Sequence, residues 1–256
     1  MQKRSLEISC YVCGAGAFGV FFRWLQDQMA FDEAGLAERS VFNYLVPLAI
    51  LAAALLFNRF IEQAKAEKLY IPTDYCQALK NEGKLFTLAR WVCGLVMALG
   101  GVLLIASCET DKDAKLMYIL AGLAIASGLC YPLLLGSAND KYGKLRHPTL
   151  ACAGTVLPVL LFALWLVLCY KQNALNSVIW SYLIEIAATV VALLAFFRAA
   201  GFAYGAVKTW PTLFTIMLGA ALQLLMYEWV LIMNMQKKAL KVKEEQPPED
   251  GFERLR

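Results

Sequence analysis

The chain has 256 residues, 60% of them hydrophobic and only 17% charged, with a mean hydropathy of +0.55 and a net charge of +4. Soluble domains are roughly 45–50% apolar and about 25% charged, so the composition excludes an ordinary water-soluble globule. With so small a net charge and no basic stripe interleaved with aromatics, nothing points to nucleic acid as a partner.

Apolar stretches long enough to cross a ~30 Å hydrocarbon core recur along the chain. They predict an all-α, polytopic transmembrane helix bundle of about seven spans over residues 1–236, with no sizeable soluble domain. The first span, 5–24, lies in "MQKRSLEISCYVCGAGAFGVFF". It has the basic start and apolar run of a signal peptide but no small-x-small cleavage site before Arg23, so it reads as a retained helix. The second span is expected at 40–59, and "RFIEQAKAEKLY" is able to continue it into the Arg59–Lys84 loop. Further spans are expected at 85–107, 115–136, 148–170, 177–198 and 211–235. The tail, 237–256, is charged, holds two prolines and lacks a periodic apolar face, the composition of a disordered segment. Counted by positive charge, the inter-helix loops favour a cytoplasmic N-terminus, whereas the basic tail argues the other way.

Three prolines fall within these spans: Pro47, Pro132 and Pro158. Each is expected to kink its helix, because proline lacks the amide hydrogen and clashes with the carbonyl four residues back. "YLVPLAILAAALLF" and "TVLPVLLFALWLVL" resemble each other loosely, as the halves of an inverted repeat do in transporters. Leucine-rich helices imitate one another easily, so this resemblance is weak.

Glu185, in "SYLIEIAATV", is the carboxylate that needs a reason. The span boundary places it ~12 Å deep, where a charge costs a few kcal/mol or more and is normally turned to the protein interior. Ser181, Tyr182 and Thr189 share its helical face. The last span offers a second polar stripe of Thr215, Gly219, Gln223 and Tyr227, with Glu228 alongside. Glu228 lies roughly 9 Å from the same surface, so the two acids are expected at similar depth. Paired carboxyls in a low dielectric raise at least one pKa, which suits proton exchange; the structural alternative is a protonated glutamate bridging helices. Arg90 is about a turn inside its span and reads as a snorkelling cation.

Several motifs fail for physical reasons. "GAGAFG" (14–19) matches the dinucleotide fingerprint only in letters, because no strand precedes it and its start is not water-exposed. Small residues that let helix backbones approach explain it better, and "GFAYG" (201–205) is read the same way. "CYVC" places Cys10 and Cys13 on one face, but no second such pair or thioredoxin-like strand accompanies it. No metal or cofactor site emerges, and no nucleophile, base and orienting group converge, so the expectation is a protein that is not an enzyme.

One segment has a familiar look. "RWLQDQMAFDEAGL" (Arg23–Leu36) resembles a segment of uncharacterised multi-pass membrane proteins of anaerobic Gram-positive bacteria. The resemblance implies a bacterial cell membrane and no particular activity. Physically the segment is an amphipathic connector, with Trp24, Leu25 and Met29 suited to the interface and Asp27, Asp32 and Glu33 to water.

Two functions follow as expectations. One is a small transporter or permease-like bundle with an intramembrane polar site at Glu185, Ser181, Tyr182, Thr189, Glu228 and Gln223. The other is a non-catalytic scaffold or accessory subunit, meeting a protein partner through Arg23–Leu36 or the tail. Either lies in the lipid bilayer.

Overall fold

Long runs of leucine, alanine and valine that hold few charged groups satisfy their backbone only as helices when surrounded by lipid. In the computed structural model this is what the chain does. The structure describes residues 2–29, 41–67, 84–107, 114–137, 148–173, 179–206 and 208–226, and among these there are helices and turns but no strand. The helices are α1 (Gln2–Met29), α2 (Leu45–Ala66), α3 (Lys84–Ser107), α4 (Ala114–Ser137), α5 (Pro148–Asn173), α6 (Ile179–Ala200) and α7 (Thr209–Met226). A 3-10 turn, Val41–Tyr44, leads into α2.

Six of the seven are long and apolar enough to cross a membrane, and the fourth contributes a shorter apolar stretch, Ala114–Cys130. This is the polytopic helical bundle that composition predicts. The α-helix of the second span begins at Leu45, after the 3-10 turn, and runs on through the charged "NRFIEQAKA" to Ala66, the continuation that the sequence allowed. Pro47 thereby falls in the first turn of α2, where an amide has no carbonyl partner within the α-helix. The reason to expect a kink there disappears. Pro132 and Pro158 do lie inside α4 and α5, and both are fully buried. The tail, 237–256, lies outside the described residues.

The chain divides into two compact units, Met1–Ile50 with Ala221–Arg256, and Leu51–Ala220. In the first, the glycines of "GAGAFG" face α7. A Cβ at Gly16 would lie 2.9 Å from the Leu224 Cβ, and one at Gly19 would lie 2.6 Å from a Leu225 methyl group. At Gly16 the obstructing atom is a Cβ that no rotamer moves, whereas at Gly19 it is the tip of a leucine; at both positions the glycine packs closely against α7, as the motif was read. Gly14 has nothing within 4 Å.

In the second unit α3 packs on α4, α4 on α5 and α5 on α6. Leu120, Leu161 and Leu168 form the buried centre, with Met97 and Leu104 of α3 and Met117 of α4 against them. The α3–α4 seam is built on small residues. A Cβ at Gly128 would sit 2.5 Å from the Gly94 carbonyl oxygen, and one at Gly101 would sit 2.8 Å from the Ala121 carbonyl oxygen. Lipid tails are as apolar as leucine, so close backbone approach of this kind is what favours helix association in a membrane. On the opposite face of α3, Leu95, Leu99 and Leu103 are exposed in one stripe. In water such a stripe would be an aggregation hazard; against lipid it is the outer surface.

"GFAYG" turns out differently from its sequence reading. It forms the turn after α6 rather than a helix–helix contact, with Gly205 in the left-handed region at a φ of 68°. Tyr204 braces this turn on α5 by donating its hydroxyl to the Cys152 carbonyl oxygen, at 3.1 Å. The Cys152 thiol in turn donates to the Ala203 carbonyl oxygen, at 3.2 Å.

Candidate functional site

Glu185 is the seventh residue of α6, about 9 Å along from its start. Its side chain is half-buried and turned toward α5, where the Cys169 thiol donates a hydrogen bond to Oε1 at 3.2 Å. Cys169 itself is only 3% exposed and lies four residues before the end of α5. The two groups therefore meet at similar depth from one surface. Above them the α5–α6 seam continues through Phe162 and Phe196, whose rings stack with centroids 5.1 Å apart.

Thr189 is buried on the expected face, yet its hydroxyl serves the main chain, donating to the Glu185 carbonyl oxygen at 2.8 Å. The face is thus polar in composition, but Thr189 does not stabilise the carboxylate. Ser181 and Tyr182 lie in the first turn of α6, and their side chains fall outside the described residues, as does Glu228 entirely. Gln223 is half-buried in the last turn of α7, and belongs to the unit that contains α1. Thr215 is buried and back-bonds to the Pro211 carbonyl oxygen at 3.0 Å. Of the expected site, then, Glu185 and Thr189 are neighbours in the structure.

Two polar features escaped the sequence reading. The first is Cys169 itself, which no sequence motif singles out. Cys169 and Glu185 are equidistant from residue 177, so an antiparallel hairpin centred there pairs them; this is the signal that could have found the contact. The second lies in the other unit. Arg23, expected at a helix end, is only 4% exposed because α1 continues to Met29. Its guanidinium donates to the Gln26 Oε1 at 2.8 Å, and the Gln26 amide donates to the Asn43 Oδ1 at 3.2 Å. Arg23 and Gln26, three apart on a helix, share one face, and that spacing was the available clue.

Arg90 also departs from its reading. The residue is half-buried in α3, and its Nε and Nη1 are buried without a hydrogen-bond partner among the described residues. A snorkelling guanidinium would carry these nitrogens into water or headgroups.

No family model, curated protein or solved structure matches the chain. Its class accordingly rests on the helices themselves: it is a polytopic helical membrane protein, with one carboxyl set into the seam of a membrane helix pair.

Proposed function

We propose that the protein is a small proton-coupled permease in which Glu185 is the proton-exchanging group. One observation carries this reading: the carboxyl, set inside an apolar span, faces the neighbouring helix and meets a thiol. A carboxyl retained inside an apolar span is by default a functional candidate. Neutral, Glu185 is a donor as well as an acceptor; ionised, it accepts only, with the weak Cys169 thiol as one donor. The two states place different demands on the α5–α6 seam, which is the property an alternating carrier uses. The loop charge bias supports a cytoplasmic N-terminus.

The test is reconstitution into vesicles that hold a pH-sensitive dye, challenged with a panel of small organic acids, amines and sugars. The expected result is solute-driven proton movement that Glu185→Gln abolishes and Thr189→Val leaves near wild type. Equal proton movement in wild type and Glu185→Gln would overturn the assignment.

A further inference from the structure

A second site lies within the Leu51–Ala220 unit, where the end of α2, the end of α6 and the start of α7 enclose a groove of about 380 Å³. Its walls are of two kinds. Leu55 and Ile61 of α2 and Phe214 of α7 make an apolar lining that runs along the membrane-crossing part of these helices. At the helix ends the lining changes to Lys65, Arg198 and Trp210.

The cationic end is built rather than incidental. The Lys65 ammonium sits 5.6 Å over the centroid of the Trp210 ring, which holds a long side chain at the mouth. Arg198 donates one Nη1 hydrogen bond to the Pro211 carbonyl oxygen, at 2.8 Å. That bond fixes the guanidinium and leaves most of its donors for another acceptor. Among the described residues neither cation is ion-paired with a carboxylate. The nearby acid on α2, Glu62, is engaged by the Asn58 amide at 3.1 Å. Lys208, just ahead of α7, adds a further exposed positive charge at this end.

We propose that this groove binds one anionic glycerophospholipid, its phosphate between Lys65 and Arg198 and one acyl chain along Leu55, Ile61 and Phe214. The charge complementarity selects an anion, because guanidinium and ammonium groups at a bilayer edge are natural phosphate partners. The apolar wall selects a lipid over free phosphate, which would leave that wall without a partner. A zwitterionic lipid would set its own cation beside Lys65 and Arg198, so the preference is for a net negative headgroup. Trp210 suits the interfacial level at which aromatic rings anchor to membranes.

The experiment uses the full chain, purified in mild detergent, and native mass spectrometry with phosphatidylglycerol, phosphatidylcholine or inorganic phosphate. Phosphatidylglycerol should bind in preference to both others. Removing either cation, as Lys65→Gln or Arg198→Gln, should weaken it about fivefold, and the double variant about 25-fold, the scale of one to two basic groups near an anionic surface. Lys115→Gln, which removes the same charge from the start of α4, should leave binding unchanged. Leu55→Trp, which fills the apolar wall and keeps both cations, should also displace the lipid. Equal binding of phosphatidylglycerol and phosphatidylcholine, or a double variant with undiminished affinity, overturns the proposal. Inorganic phosphate that binds as tightly as phosphatidylglycerol, and survives Leu55→Trp, overturns the lipid assignment.

Discussion

Replacing Gly128 of α4 by alanine should destabilise the protein even though alanine is the better helix former. The new Cβ would lie 2.5 Å from the Gly94 carbonyl oxygen, 2.7 Å from the Ala98 amide nitrogen and 3.1 Å from the Ala98 Cα. Close carbon–oxygen contacts between helices are ~3.3–3.6 Å, so α3 and α4 would have to part by about 0.8 Å or more. The obstructing atoms are backbone, and no change of rotamer relieves the clash. Overpacking of this kind costs about 1–3 kcal/mol, against a gain of about 1 kcal/mol in helix propensity. The net expectation is a loss of up to about 2 kcal/mol. Gly122, in the same helix, supplies the control, since nothing lies within 4 Å of a Cβ placed there. Gly122→Ala should therefore stabilise by up to about 1 kcal/mol. Thermal unfolding in one detergent, followed by circular dichroism, compares two variants that differ only in where the same methyl group is placed. If Gly128→Ala proves as stable as Gly122→Ala, the close glycine seam is not what holds α3 to α4.

Two further substitutions test the polar contacts. Gln26→Leu should cost about 1–3 kcal/mol, because it removes a partner from the buried Arg23 and Asn43 at once; the same unfolding assay reads it. Tyr204→Phe should cost about 0.5–1 kcal/mol or less, since its hydroxyl contact with Cys152 is exposed; faster hydrogen exchange in residues 201–206 would report the loosened turn.

How far the sequence was legible depends on which physical signal each feature leaves. Spans are legible because the bilayer imposes a length and a polarity, and six helices among the described residues are long and apolar enough to cross it. The start of α2 was misplaced because hydropathy does not distinguish a 3-10 turn from the first turn of an α-helix. Its polar continuation through "RFIEQAKA" was legible, and the helix does run on to Ala66. At α1 only the apolar part was taken as span, which put its end at 24 and left Arg23 at the helix end. Helical periodicity put Glu185 and Thr189 on one face correctly, yet periodicity carries no information on rotamers. It could not foresee that the Thr189 hydroxyl turns back on its own helix. Cross-helix partners are the least legible, because they depend on register between segments; Cys169 opposite Glu185 follows only once the hairpin is centred. Glycines were read as packing residues wherever they clustered. That holds at Gly16 and Gly19 and fails at Gly205, where a positive φ is the requirement instead.

The proposed function requires proton exchange at Glu185 within the α5–α6 seam. Infrared difference spectroscopy on the reconstituted protein, titrated against external pH, reads this without knowledge of the transported solute. The expected result is a protonated-carboxyl band that responds to pH, disappears in Glu185→Gln and shifts in Cys169→Ala, where the thiol donor is lost. A carboxyl band at Glu185 that stays constant across the titration, or no difference between wild type and Glu185→Gln, would contradict it.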